Sequence, residues 1–341
     1  MALKVVLDAF GGDYAPVEPV KGAVEAARMH GIAPILVGRE EAIKAELAKY
    51  DTKGLDLEIV DAPDLVGMDE HPVQAVRRKR QSSLVVGMDL VRDGKAGAFV
   101  SAGNSGAVLA AGLFELGRIE GIDRPAISAL YPTLHDPCLL LDVGANTEVR
   151  PPFLVQFALL GSIYMEKVIG RSRPRVALLA NGEEDTKGSL VVQEAHKLLR
   201  ESRLNFVGNV EGRDIPVGDK ADVVVCDGFV GNVVVKLSEG LSDSLFGLIK
   251  SELNSSLLSK LAAGVMMPAF RRIKRRLDYE EYGGAPLLGV KGVVILAHGR
   301  STAKAIRNAL RVAQQGVEQR MVEAVVEGLA VLAAGSTPAA G

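Results

Sequence analysis

Residues 96–114 constrain the fold most, because this long stretch carries no charge and changes character in its middle. An apolar run at 97–100 meets a Gly-Asn-Ser-Gly turn at 103–106, and small apolar residues then continue to Leu113. Glycine permits a positive φ or a close backbone approach, and Asn or Ser caps helices, so the stretch predicts strand, tight turn and helix. A membrane span is disfavoured because the glycines and the polar turn would break a lipid-exposed helix.

The free N–H groups of this turn would face the carboxyl end of the strand, where ligands bind to open parallel sheets. Such N–H donors would bind an anion. The residues predicted to bind it are Ala102, Gly103, Asn104, Ser105 and Gly106. Glycine-rich turns that bind no ligand are also common, so these residues alone leave both interpretations open.

Composition excludes several classes of protein. With 341 residues, 48% of them hydrophobic, the chain can bury a large core. A net charge of −2 and 4% aromatic residues give neither the basic field nor the stacking surface of a nucleic-acid-binding protein. Cys138 and Cys226 lie in apolar runs and are predicted to be buried free thiols. The N-terminus lacks a signal or transit peptide pattern, which predicts a cytoplasmic protein.

A strand, a polar turn with Gly and Asn or Asp, and a helix recur along most of the chain. Such turns end the apolar runs 4–9, 138–143, 175–180 and 222–226. This alternation predicts an α/β protein, a three-layer α/β/α sandwich with a mostly parallel sheet and helices on both faces. We expect one large domain over 1–334, a final helix over 303–329 and a flexible tail at 335–341.

The polar turns are expected to meet at one edge of the sheet and to build one pocket rich in amide donors. Outside the first turn, the predicted substrate-binding residues are Asn146, Asn181 and Asn232. The predicted catalytic residues, in or beside the same turns, are Lys187, Asp227 and His298. For His298 a structural role is an equally good interpretation, since a lone histidine is often part of the packed structure.

Residues 75–83 carry four basic side chains followed by hydroxyl groups. A solvated helix face and an electropositive rim for an acidic partner or a phosphate group are both consistent with this pattern.

A helical insertion is expected at about 240–285. Leucines and a valine spaced by four between 253 and 265 predict an amphipathic helix, interrupted at Pro268 and followed by a basic stretch. A hairpin packed in a core or a dimer interface is one interpretation, and an element lying on an anionic membrane or an acidic protein is the other. The predicted contact residues are Leu257, Leu261, Val265, Arg271, Arg272, Lys274, Arg275 and Arg276.

Several familiar motifs are missing from the sequence. It has no G-x-G-x-x-G, P-loop, H-E-x-x-H, G-x-S-x-G or paired C-x-x-C motif, which weighs against common nicotinamide, kinase, zinc-protease and α/β-hydrolase chemistry. The five histidines lack metal-ligand spacing, so neither a metal nor a cofactor is expected.

Eight motifs together carry a resemblance to a known family. They are DAFGGDYAP at 8–16, RRKRQSS at 77–83, SAGNSG at 101–106, DVGAN at 142–146, LLANGEEDTKG at 178–188, NVEGRDI at 209–215, CDGFVGNVVVKLSEG at 226–240 and YGGAPLLGVKG at 282–292. In this order, and over essentially the whole chain, they resemble the acyl-carrier-protein:phosphate acyltransferase family (PlsX). Phe10 departs from the Met usual in the family but leaves the neighbouring glycines and acids intact.

The resemblance implies transfer of a fatty acyl group from acyl carrier protein to inorganic phosphate, giving acyl phosphate for phospholipid synthesis. It also implies a fold like those of phosphotransacetylase and isopropylmalate dehydrogenase, usually in a homodimer. Members are often found at the membrane surface, so a peripheral position at the inner face of the cell membrane is expected. The basic segments would then meet an acidic carrier protein or anionic lipid.

Phosphate is already an anionic nucleophile near neutral pH, so attack on a thioester needs positioning and charge stabilisation more than an enzyme nucleophile. We therefore expect direct displacement, with the turn amides, the asparagines and Lys187 holding phosphate and the oxyanion. His298 or Lys187 would assist the leaving thiol, and Asp227 would orient one of them. A metal-dependent dehydrogenase on a related fold and a non-catalytic membrane scaffold are the alternatives.

Overall fold

The computed structural model describes residues 2–277 and 279–334, so the tail predicted at 335–341 lies outside the described residues. The side chains of Leu257 and Lys274, two predicted contact residues, are also outside them. The strands are β1 (Lys4–Asp8), β2 (Ala33–Gly38), β3 (Glu58–Asp61), β4 (Ala98–Ser101), β5 (Ala126–Tyr131), β6 (Cys138–Leu141), β7 (Val176–Leu179), β8 (Phe206–Val210), β9 (Val223–Val225), β10 (Ala285–Leu288) and β11 (Val293–Leu296). The helices are α1 (Val17–His30), α2 (Glu40–Leu47), α3 (Pro72–Arg78), α4 (Ser83–Arg92), α5 (Ser105–Ala111), α6 (Pro151–Lys167), α7 (Leu190–Arg200), α8 (Gly228–Leu253), α9 (Leu257–Leu277), α10 (Ala303–Glu318) and α11 (Met321–Ala334).

The strands form one sheet in the order β3-β2-β1-β4-β11-β10-β5-β6-β9-β7-β8. Neighbouring strands are parallel except at three contacts, where β11 and β10, β10 and β5, and β5 and β6 pair antiparallel. Three reversals leave β1 to β4 and β11 running in one direction and β6 to β9 running in the opposite direction. The mostly parallel sheet is confirmed.

Helices cover both faces of the sheet, which is why its central strands are apolar at nearly every position. Alternate residues of β1 belong to different cores: Val5 and Leu7 pack with α1 and α10 residues, whereas Val6 packs with Phe99 and residues of α4 and α5. The predicted three-layer sandwich is therefore confirmed. Cys138 and Cys226 are free and buried, as predicted.

Two helix boundaries differ from the sequence expectations. The helix predicted over 303–329 is divided between α10 and α11. Between them Arg320 has a φ of 51°, a left-handed conformation that turns the chain. The predicted interruption at Pro268 is wrong, because α9 continues through this residue. Proline has no backbone N–H, so the carbonyl group of Gly264, four residues earlier, receives no helical hydrogen bond from it. Gly264 is exposed, so water can bind this carbonyl group instead.

The two long helices α8 and α9 contact each other and extend from the sheet. In α8 only Gly228 and Gly231, both in its first turn, are buried. Large exposed apolar side chains then recur along this helix at positions 233, 237, 241, 245 and 248. No helix in the described ranges is both long and apolar enough to cross a membrane.

The basic segment 75–83 joins α3 to α4 rather than forming one helix face. The Lys79 ammonium lies 2.5 Å from a Glu70 carboxylate oxygen, and the Arg80 guanidinium is paired with Glu115. The acids therefore neutralise part of the segment's charge.

Candidate active site

The predicted site residues fall into two groups at opposite edges of the sheet. Carboxyl ends of parallel strands share an edge, and β4 and β11 run opposite to β6, β7 and β9. The expectation that all the turns meet at one edge is therefore wrong. The β4 edge carries Ala102, Gly103, Asn104, Ser105, Gly106 and His298, and the β6 edge carries Asn146, Asn181, Lys187, Asp227 and Asn232.

At the β4 edge the glycine turn is built over a buried carboxylate. Asp8 Oδ2 accepts a hydrogen bond of 2.7 Å from Ser101 Oγ, which in turn accepts one of 2.9 Å from the Gly103 N–H. Burial raises the pKa of Asp8 above its ordinary value, and hydrogen bonds from Ser83 and Ser101 oppose that rise. A Cβ on Gly11 would lie 2.7 Å from the Gly103 nitrogen, so the close approach of the two turns requires glycine at position 11.

The side chain of Asn104 is engaged in structure. Its Oδ1 accepts a bond of 3.1 Å from the Ala107 N–H, capping α5, and its Nδ2 donates to the carbonyl oxygens of Met68 and Glu70 at 3.1 and 3.2 Å. His298 is exposed, and its Nδ1 accepts a bond of 3.2 Å from the Arg300 N–H. Both side chains therefore have hydrogen-bond partners within the protein.

At the β6 edge one buried carboxylate organises the turn after β6. Asp142 Oδ1 accepts bonds from the backbone N–H groups of Ile127, Gly144 and Ala145 at 3.2, 3.0 and 3.0 Å. Its Oδ2 accepts bonds of 2.7 and 2.8 Å from the backbone and side-chain amides of Asn146. Burial raises the pKa of Asp142 above its ordinary value, and these donors oppose that rise. Sequence reasoning did not single out Asp142, although an Asp that ends a buried strand before glycine could have indicated it.

The predicted asparagines and Asp227 connect this turn to the start of α8. The Gly228 N–H donates to the Asn146 carbonyl at 2.7 Å, and Asn232 Nδ2 donates to the Val143 carbonyl at 3.2 Å. Asp227 Oδ1 caps α8 by accepting a bond of 2.9 Å from the N–H of the residue three positions later. These residues lie together as predicted, but much of their hydrogen-bonding capacity stabilises the two turns.

The loop 181–188, which carries Lys187, is held in place by a buried asparagine. Asn209 Nδ2 donates to the Glu184 carbonyl at 2.9 Å, and Asn209 Oδ1 lies 3.0 Å from His196 Nδ1. His196 and Asn209 are both buried, so this pair fixes an exposed loop to α7 and β8. Sequence reasoning missed both residues because neither lies in a glycine-rich turn.

Lys187 itself is exposed. Among the described residues, none provides a hydrogen-bond acceptor or a carboxylate to its ammonium group. Asn181 lies at the other end of the same loop, and its Oδ1 accepts a bond of 2.8 Å from the Gly188 N–H. The loop therefore closes on itself and leaves one cation available to a ligand.

A cavity of about 690 Å³ opens beside this loop, a volume typical of small-molecule sites. Its lining residues are Thr147, Glu148, Val149, Leu154, Leu179, Ala180, Asn181, Gly188, Ser189, Val191, Val192, Cys226, Asp227 and Val230. Ser189 and Asp227 are the N-cap residues of α7 and α8, so the positive ends of two helix dipoles border the cavity. The helix N-termini favour an anionic ligand at the rim, and so does Lys187, the chain neighbour of the lining residue Gly188, whereas the carboxylates of Glu148 and Asp227 oppose it.

Three carboxylates in the described part of the chain, Glu183, Glu211 and Asp214, lie close enough to share a cation. The Lys220 ammonium already lies 2.7 Å from Glu183 and 2.9 Å from Asp214. This lysine supplies the positive charge that a metal ion would otherwise bring.

Comparison with known proteins decides the family. Residues 3–324 match a family model described as "Fatty acid synthesis protein", and a phosphate acyltransferase of Pelotomaculum thermopropionicum is 52% identical over 98% of each chain. The chain belongs to the phosphate acyltransferase family. A phosphate acyltransferase of Heliobacterium modesticaldum is 55% identical over 95% of this chain and 97% of that protein. The resemblance drawn from the sequence motifs is confirmed.

Solved structures share the fold at low sequence identity. A phosphotransacetylase from Streptococcus pyogenes has a TM-score of 0.62 and 16% identity, covering 93% of this chain and 94% of its own. A 4-hydroxythreonine-4-phosphate dehydrogenase from Klebsiella pneumoniae has a TM-score of 0.55 and 12% identity, covering 93% and 98%. Acyltransferases and a dehydrogenase therefore share this α/β architecture, and the family relationship assigns this chain to the acyltransferases.

Proposed function

We propose that the protein transfers a fatty acyl group from acyl carrier protein to inorganic phosphate, releasing acyl phosphate and the carrier thiol. The observation that carries the proposal is the 52% identity to a phosphate acyltransferase over 98% of both chains. The family description, which refers to fatty acid synthesis, supports a fatty acyl substrate. A largely apolar cavity beside the loop of Lys187, whose ammonium has no acceptor among the described residues, agrees with a substrate that has a hydrocarbon tail and a reacting anion.

The β6 edge provides the chemistry that this reaction needs. Lys187 and the N-termini of α7 and α8 would hold phosphate and stabilise the negative charge that develops on the carbonyl oxygen. A phosphate oxygen attacks the thioester carbon, the new C–O bond forms, and the C–S bond then breaks. The departing thiolate, with an ordinary pKa of roughly 8.5, needs little help from an acid. Because His298 lies at the β4 edge, this proposal assigns the charge-stabilising role to Lys187.

The proposal is tested by incubating the protein with acyl-[acyl carrier protein] and phosphate and measuring free thiol. We expect thiol release that requires phosphate, with one acyl phosphate formed per thiol, because phosphate is the attacking group. The same assay with acyl-coenzyme A in place of acyl-[acyl carrier protein] measures the specificity for the carrier. Thiol release that is equally fast without phosphate would indicate a thioesterase, and no release at all would favour the scaffold alternative.

We also propose that α9 contacts an anionic membrane surface. Leu261 and Val265 are 65% and 83% exposed on this helix, and arginines follow at 271, 272, 275 and 276. Apolar residues beside a basic stretch are typical of helices that lie in a lipid interface. The exposed apolar residues of α8, spaced by three and four, are instead proposed to pack against a second copy of this chain in a homodimer.

The double variant Leu261→Ser/Val265→Ser is expected to abolish flotation with vesicles containing phosphatidylglycerol, because it removes the exposed apolar contacts. Its acyltransferase activity in solution and its dimeric mass by light scattering should stay unchanged. Val17→Ser/Met29→Ser changes two exposed apolar residues of α1 and serves as the control that still floats. Flotation retained by the α9 variant, or lost by the control as well, would contradict this assignment.

A further inference from the structure

The lining of the cavity at the β6 edge changes from polar to apolar with depth. The exposed lining residues at its rim include Thr147, Glu148, Asn181 and Ser189. Leu154 and Cys226 are 1% and 4% exposed and are its most deeply buried lining residues. The half-buried lining residues between them are mainly aliphatic: Val149, Leu179, Ala180, Val191 and Val192, with Gly188 and the Asp227 carboxylate among them. This gradient matches a ligand with a polar head and an apolar tail.

These two buried lining residues offer little to a polar ligand or to ordered water. Leu154 has no polar side-chain atom, and Cys226 Sγ already donates to the Asp142 carbonyl at 3.4 Å. A buried water needs two to four polar partners, which these two residues do not provide. An aliphatic chain displaces solvent from such walls favourably, and each methylene group buried contributes about fourfold to binding.

We propose that this cavity binds the hydrocarbon chain of the acyl group and that its walls limit the chain length. The inference rests on the proposed function and deepens it, because it names the part of the substrate that the cavity holds. The reacting carbonyl lies at the rim near Asn181 and Asp227, where the helix N-termini and the loop of Lys187 meet. The methylene groups extend past Val192 and Val149 toward Leu154.

Val192→Phe and Val149→Phe narrow the cavity from two different elements. With each variant we expect kcat/KM for a 16-carbon acyl thioester to fall about tenfold or more, since two excluded methylene groups correspond to roughly 16-fold. For a 4-carbon thioester it should change by less than about twofold. Val207→Phe, at an exposed position of β8 outside the cavity, is the matched control and should leave both chain lengths unaffected.

A labelling experiment gives a readout that does not require turnover. Hexadecanoic acid with a terminal diazirine, photolysed on the wild-type protein, should label peptides containing 149–154 or 191–192, and unlabelled hexadecanoic acid should compete. Label confined to α9 or to the part of α8 that follows Val230, or equal activity losses for both chain lengths in folded variants, would overturn the inference. Wild-type protein without activity on any thioester, yet labelled in the cavity, would overturn the proposed function and leave the chain site intact.

Discussion

Lys187→Ala is expected to lower kcat/KM for phosphate-dependent thiol release by about 10²- to 10³-fold. That range is typical when one preorganised group that stabilises an oxyanion is removed. The ammonium has no acceptor among the described residues, so its charge is available to phosphate and to the transition state. For the same reason the free energy of unfolding should change by less than about 0.5 kcal/mol, as for other exposed substitutions.

Lys197→Ala is the matched control, because it removes an exposed lysine from α7 without changing the loop. It should retain wild-type activity. Lys187→Arg keeps the charge but alters its geometry, and we expect it to recover part of the lost activity. Activity of Lys187→Ala within about twofold of wild type would exclude Lys187 from the reaction, and an equal loss in the Lys197→Ala control would point to a general charge effect.

The individual strands and turns could be predicted from sequence because their signals are local. The runs 97–100 and 138–143 are apolar and end in Gly, Asn or Asp, and each forms a buried strand followed by a turn. Strand direction, in contrast, depends on which neighbours pair. Nothing in the apolar residues of β5 or β10 indicates that both pair antiparallel, yet these two strands reverse the sheet and separate the two groups of turns.

The same limitation applies to the roles of the site residues. Asparagine and glycine are selected in turns for their backbone preferences, and ligand-binding turns use the same residues. Sequence could therefore identify Asn104 as a helix cap and Asn146 as a turn residue, but it could not show that the Asn104 amide also binds the carbonyl groups of Met68 and Glu70 or that the Asn146 amide binds Asp142. The Lys187 ammonium has no acceptor within the described ranges, and the cavity is formed by residues from β7, α6, α7, α8 and the loops beside them. Both properties arise only when distant segments pack.

Asp142→Ala is expected to lower the free energy of unfolding by about 3 to 5 kcal/mol. Each buried N–H donor left without an acceptor costs about 1–3 kcal/mol, and donors that bind water instead reduce the total. The carboxylate accepts hydrogen bonds from five N–H groups and is fully buried. Urea unfolding followed by circular dichroism measures the change.

Two further variants test whether the hydrogen bonds of Asp142, rather than its size or its charge, stabilise the turn. Asp142→Asn can keep an acceptor toward Ile127, Gly144 and Ala145, but its amide would face the donors of Asn146, so we expect an intermediate loss of stability. Asp136→Ala removes a carboxylate that is 76% exposed and paired with Arg171, and it should cost less than about 1 kcal/mol. Equal stability of the Asp142→Ala and Asp136→Ala variants would contradict the idea that Asp142 holds the turn. If the idea is correct, Asp142→Asn should also lose activity below its unfolding transition, because the Asn146 carbonyl anchors the start of α8 beside the cavity.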